Sequence, residues 1–239
     1  MLKRTSTILA LAGVGVLAGA SVAAAQTAPA GDLPGAPTME RSWTARVLYP
    51  VVARRTPGGA VVSKLQHYTL WSQAPSAYMV TESKVVNGKT WIRIQLPKRP
   101  NGTQGWVPED AVELRATTTW IQVSTKARTL TVFKAGKRVK RFRVAVGTGG
   151  TPTPKGRFAV LDPVPVGGHQ LGPYIMVLTA HSTVHRTFMG GDGIVGIHGW
   201  PSSSVLGKAV SNGCVRMSRG DVRALSRYAK AGVPVEIVA

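Results

Sequence analysis

From residue 42 onward, the chain reads as short stretches in which apolar and polar side chains alternate, punctuated by Gly, Pro, Asn and Asp. A period of two marks a strand with one buried face. Thr69-Leu70-Trp71 and Thr90 to Leu96 carry partial alternation. Asn87-Gly88, between Val85-Val86 and the Trp91 stretch, predicts a tight hairpin. Pro100-Asn101-Gly102 predicts a further turn, and Gly105-Trp106-Val107-Pro108 precedes a last short segment from Ala111 to Leu114. Ala116 to Thr119 marks a boundary. Beyond it, Trp120 to Val123 and Thr129 to Phe133 predict strands, and Lys134-Ala135-Gly136-Lys137 turns the chain into Arg138 to Val146. Phe158 to Val160 and Val235 to Val238 are strand-like as well. The near-continuous apolar run Tyr174 to Thr179 predicts a strand buried on both faces. Ile194 to Ile197 predicts a strand that delivers His198 at its end.

Helical spacing is clearest after residue 217. Val222, Leu225 and Tyr228 fall on one face, and Ser218 and Asp221 have capping-box spacing. Gly232 and Pro234 predict its end. Asp221 therefore reads as a cap rather than a catalytic acid. The expected fold class is mainly β with a few short helices.

Composition changes the picture in two ways. Hydrophobic residues make up 44% of the 239, enough for packed cores and too many for wholesale disorder. The net charge of +20 calls for a polyanionic partner, and the N-terminus narrows which one. Lys3 and Arg4, the apolar stretch Ile8 to Ala20 and Ala23-Ala24-Ala25 have the layout of an export signal at residues 1–25. The alternative is an uncleaved N-terminal anchor. Gln26 to Thr38 is rich in Ala, Pro and Gly, and residues 26–41 read as a linker. No later stretch is long and apolar enough to span a bilayer as a helix. For an exported chain, the expected partners are anionic polymers of the cell wall rather than nucleic acid. The clustered Lys137, Arg138, Lys140, Arg141 and Arg143 fit a polyanion site less well than a solvated, charge-protected hairpin edge.

The candidate chemistry rests on the single cysteine, Cys214. A lone thiol in an exported chain cannot close an internal disulfide, so it pairs between molecules or reacts, and the alternative is a buried, inert cysteine, for which the Gly- and Ser-rich surroundings of Cys214 speak little. Cys214 lies sixteen residues after His198, and an imidazole is a common means of generating a thiolate. Gly213 permits a turn whose backbone N–H groups face a developing oxyanion. Together these residues point to cysteine acyl transfer. His181 and His185 are four apart but have no third ligand at suitable spacing, so no metal site is expected. His67 defaults to a packing or surface role, and His169 sits in a Gly-rich loop.

Ile197-His198-Gly199 and Ser211-Asn212-Gly213-Cys214-Val215-Arg216-Met217 resemble the signature of the L,D-transpeptidase (YkuD-like) catalytic domain. Val146-Gly147-Thr148, Thr151 to Phe158 and Gly172-Pro173-Tyr174 resemble that family too. The likeness covers residues 118–239. It implies a β-sandwich-like catalytic domain in which Cys214 attacks a peptidoglycan tetrapeptide stem and His198 acts as base. The Gly199 carbonyl would orient His198, and the N–H groups of Gly213 and Cys214 would hold the oxyanion. Ser211, Asn212, Arg216 and Tyr174 are implied at the substrate. Arg216 either holds a substrate carboxylate or ties the loop together. Asn212 departs from the second histidine that many members carry. The implied reaction makes 3→3 cross-links through a thioester, without a cofactor. With water as acceptor it becomes an L,D-carboxypeptidase, and a third reading is a non-enzymatic wall-binding protein. Residues 42–115 resemble a bacterial SH3-like small barrel, whose tryptophans either bind wall peptide or fill its own core.

Overall fold

The computed structural model describes residues 33–167, 170–187 and 191–239. The expected export signal, the linker up to Asp32 and His169 lie outside these residues. The first part of the described chain is antiparallel. Strands β1 (Ser42–Val47), β2 (Val51–Arg54), β3 (Val61–Leu65), β4 (Ala77–Val86), β5 (Lys89–Gln95), β6 (Gln104–Pro108) and β7 (Val112–Thr117) form a seven-stranded sheet in the order β3-β2-β6-β5-β4-β1-β7. The β4–β5 hairpin turns where Asn87-Gly88 predicts it. Both residues have positive φ, 50° and 72°, as a two-residue hairpin with right-handed strand twist requires. Alternate residues such as Val80, Ile92, Ile94 and Val107 are fully buried and make the core of this part. Trp106 joins the buried set with Lys84 over its ring, whereas Trp71 is 45% exposed.

After the boundary the chain builds a second, mixed sheet. Its strands are β8 (Thr119–Ser124), β9 (Thr129–Lys134), β10 (Lys137–Arg143), β12 (Gly156–Pro165), β13 (Tyr174–His181), β14 (Ile194–Trp200), β16 (Val215–Ser218) and β17 (Pro234–Val238). They lie in the order β10-β9-β8-β17-β12-β13-β14-β16, while β11 (Val146–Gly147) and β15 (Ala209–Ser211) form a separate parallel pair. The fold class is mainly β, as the residue pattern predicts. The basic cluster lies on β10, the edge strand, where Lys137, Arg138, Lys140, Arg141 and Arg143 are exposed. Repelling like charges along an open edge discourages pairing with another chain. Helix α1 (Arg219–Leu225) is capped by Ser218, whose hydroxyl accepts the Asp221 N–H at 3.0 Å. Val222 and Leu225 are fully buried against the sheet. The helix ends well before Gly232, because the next turn tightens to Tyr228 N–H on the Leu225 carbonyl and Ser226 Oγ bonds back to Arg223 O. Among the described residues, no helix is long and apolar enough to cross a membrane.

Two other expectations are corrected. Thr69-Leu70-Trp71 is a turn, not a strand: Thr69 N–H closes onto Ala74 O at 2.8 Å, and Gln73 takes a positive φ of 56°. His198 lies inside β14, two residues before its end, rather than at the strand terminus.

The first sheet is not tethered loosely to the second. Gln95, at the end of β5, is buried; its amide donates to Arg157 O at 2.6 Å and accepts from Thr179 Oγ1 at 2.9 Å. Thr179 Oγ1 in turn accepts the Ala159 N–H. In the β5–β6 loop, Arg99 donates to the carbonyls of Ser182, His185 and Asp192, and Asn101 exchanges two hydrogen bonds with the His181 backbone. An unpaired buried polar group costs about 1–3 kcal/mol. Gln95→Ala leaves Arg157 O without its side-chain donor and the Thr179 hydroxyl proton without its acceptor, so urea unfolding is expected to report a stability loss of that order, about 1–3 kcal/mol. A loss below ~0.5 kcal/mol would mean that water or a rearrangement replaces the amide.

Candidate active site

Opposite residues in adjacent strands project from the same face of a sheet, so strand register decides which side chains meet. Val164 on β12 faces Ile175 on β13, Ile175 faces His198 on β14, and His198 faces Arg216 on β16. The neighbouring row runs Asp162, Val177 and Gly196, and ends beside Cys214, immediately before β16. Both rows lie on one face and, apart from the buried Asp162, floor a cleft of about 530 Å³. His198, Cys214, Asn212 and Arg216 all line it. The fifteen residues between His198 and Cys214 make the connection that places β16 parallel to β14, with His198 and Cys214 on the same face.

His198 is 6% exposed, and its Nδ1 lies 2.8 Å from the Gly199 carbonyl oxygen. A carbonyl can only accept, so Nδ1 carries the proton and the neutral ring presents Nε2 as the basic nitrogen. Gly199 is required there. A Cβ would come within 2.1 Å of the Gly172 carbonyl oxygen, which belongs to the segment packed over this strand. The Gly199 N–H donates to Leu171 O at 3.0 Å and holds the same segment.

Cys214 is half-buried, and its Sγ receives the Gly196 N–H at 3.5 Å. Burial pushes the thiol up from its ordinary value, outweighing the Gly196 N–H and the Arg216 charge, which both pull it down. The resting thiol is therefore protonated at neutral pH. The turn before it is fixed by Ser211, which is 1% exposed. Ser211 Oγ donates to the Cys214 carbonyl and accepts the Gly213 N–H at 3.1 Å. Gly213 has a φ of +118°, which few residues with a side chain adopt. Ser211→Ala removes both bonds and leaves two buried backbone groups unpaired. Chemical denaturation is expected to show a loss of about 1–3 kcal/mol, and Ser211→Thr should restore much of it. A neutral Ser211→Ala would show that the turn holds itself.

Of the residues implied at the substrate, Asn212 and Arg216 line the cleft, and Ser211 and Tyr174 do not. Ser211 is tied into the turn and does not line the cleft. Tyr174 faces away from the cleft and packs on the core. The Gly213 N–H is turned to Ser211 Oγ rather than to the cleft. Arg216 stacks its guanidinium on Trp200, 3.7 Å from the ring centroid, and its buried Nε–H has no acceptor among the described residues. Trp200 was legible: two residues after His198 in a strand, it must share that face. His181 is buried and its Nε2 lies 3.1 Å from Asp192 Oδ2, a contact across the β13–β14 connection rather than in the cleft. Trp71, from the β3–β4 loop of the first sheet, also lines the cleft, and nothing in its local sequence signals that.

Comparison with known proteins addresses the same part of the chain. The family model for the L,D-transpeptidase catalytic domain, YkuD, matches residues 118–237. The YkuD protein of Bacillus licheniformis is 35% identical over 117 residues, and that of Bacillus subtilis is 33% identical over 117. Each alignment covers 49% of this chain and 64% of the relative, so the chain spans less than two thirds of those proteins. Among solved structures, an L,D-transpeptidase from Mycobacterium tuberculosis H37Rv is similar with a TM-score of 0.43 and 16% identity, over 81% of this chain and 95% of that one. The family model alone takes in half of the sequence, with the cleft-forming strands inside it, and the chain belongs to the YkuD family of L,D-transpeptidase catalytic domains.

Proposed function

We propose that this protein is an exported cysteine L,D-transpeptidase that acts on peptidoglycan stems. One observation carries the reading: Cys214 and His198 share the floor of one cleft, and His198 is held in the tautomer that a base needs by the Gly199 carbonyl. In the proposed reaction, the donor is a tetrapeptide stem. His198 Nε2 takes the thiol proton as Cys214 Sγ attacks the carbonyl of the third residue's L-centre. The oxyanion is assigned to the Cys214 N–H, since the Gly213 N–H is engaged with Ser211. Collapse breaks the amide bond, His198 passes its proton to the departing D-alanine amine, and a thioester remains. An amine on a neighbouring third residue attacks the thioester and loses its proton to His198. The Cys214 thiolate leaves and is reprotonated, giving a 3→3 cross-link. The Arg216 guanidinium, flattened on Trp200 with an Nε–H that has no acceptor among the described residues, is assigned to a substrate carboxylate.

The first sheet is read as an SH3-like wall-binding module. The exposed Tyr49, Tyr68 and Leu70 around one groove support that reading, as aromatic and apolar faces suit sugar and peptide surfaces. The test is incubation of the protein with a defined tetrapeptide stem and mass spectrometry of the products. A +thioester mass on Cys214 followed by cross-linked dimer is expected. Tripeptide alone would assign the protein to L,D-carboxypeptidases, and unchanged stem without adduct would overturn the enzymatic reading.

A further inference from the structure

The Trp71 loop is built, not draped. Asp162 is completely buried, and in register it faces Val177, which lines the cleft. A carboxylate without partners is costly to bury, by several kcal/mol. Both its oxygens are spent on one residue of the other sheet: Oδ2 accepts the Ser72 N–H at 3.0 Å, and Oδ1 accepts the Ser72 hydroxyl. The loop is braced from within as well. Thr69 Oγ1 and Ser72 Oγ are 3.0 Å apart, and Ser76 N–H donates to His67 O at 2.8 Å. The clamp fixes the residue next to Ser72, and that residue is Trp71, a large apolar side chain left 45% exposed while lining the cleft.

We infer that Trp71 is a substrate-positioning residue, the outer wall of a subsite for the N-terminal part of the donor stem. The inference rests on the transpeptidase reading above. The cleft is polarised. At the β14–β16 side lie Cys214, His198 and the cationic Arg216; at the β12–β13 side lie Val164, Ile175 and Val177, with Trp71 among the lining residues. Two strand spacings of about 4.8 Å separate β13 from β16, roughly 10 Å. That matches about three extended residues at ~3.3–3.6 Å each. A stem with its third carbonyl at Cys214 therefore reaches the apolar end with its first residues. There an indole over an aliphatic floor takes methyl and methylene groups rather than charge. One sheet then supplies the chemistry and the other supplies part of the length selection.

The test compares a full tetrapeptide stem with the same donor lacking its first two residues, in wild type, Trp71→Ala, Trp71→Phe and Ser72→Ala. Removing a half-buried aromatic wall is expected to lower kcat/KM for the full stem about 10- to 100-fold, chiefly through KM. The loss should be absent with the truncated donor, should be largely restored by Trp71→Phe, and should be reproduced in part by Ser72→Ala. Iodoacetamide labelling of Cys214 reports whether each variant keeps its folded site. Equal losses on both donors, or none on the full stem, would overturn the assignment while leaving the transpeptidase reading in place. A wild-type protein that forms no thioester with either donor would overturn both.

Discussion

Cys214→Ser is expected to abolish covalent adduct formation with a tetrapeptide stem or a carbapenem, and Cys214→Ala to do the same. The hydroxyl of serine is far harder to ionise than a thiol, and a site with one backbone N–H at 3.5 Å from the sulfur supplies little to offset that. The protein contains no other cysteine, so peptide mapping leaves one sulfur to find. The wild-type thiol has its own pH signature. Burial holds it protonated beyond the ordinary value of 9.0, so iodoacetamide labelling of the free protein should be slow at neutral pH and rise as pH climbs past that value. The same shift has a sign for stability. The unfolded thiol ionises at lower pH than the folded one, so this group's contribution is present below the ordinary thiol value and is lost as pH rises through the folded one. An adduct on another residue, or undiminished acylation in folded Cys214→Ala, would sink the assignment.

The second large effect concerns His198. A thiol held protonated by its surroundings depends on a neighbouring base more than a thiol that ionises freely. His198→Ala is expected to slow acylation by about 10²–10⁴-fold, the range for removing a positioned acid–base group. What remains should increase with pH through the thiol's own ionisation, because solvent then does the work of the imidazole. Single-turnover acylation followed by intact-mass measurement across pH separates the two routes. Loss of activity with unfolding would show as a collapsed thermal transition; Ala at this position removes a side chain whose Nδ1 bond is to its own neighbour's carbonyl, so the fold should survive. A His198→Ala variant that acylates at the wild-type rate at neutral pH would remove the histidine from the mechanism.

The difference between the Asn212 and Tyr174 outcomes shows where a motif stops being informative. Both were implied at the substrate by the same resemblance. Asn212 is exposed and lines the cleft, whereas Tyr174 packs on the core. Tyr174 precedes Ile175, which floors the cleft, and a shift of one residue in a strand reverses the face.

By itself, the sequence determined the mainly β class, the Asn87-Gly88 hairpin, the capped helix after Ser218, and the pair Cys214 and His198 as candidates. Each of these is written locally, in a period, a cap, a turn dipeptide or a short signature. It also held the parity that puts Trp200 with His198. Only the tertiary structure decided that the Gly213 N–H is spent on Ser211 and that Arg216 lies on Trp200. It alone decided that Asp162 reaches ninety residues back along the chain to Ser72 and brings Trp71 to the cleft. Such contacts depend on which strands become neighbours and in what register. That is settled by packing across the whole sheet, and no window of local sequence contains it.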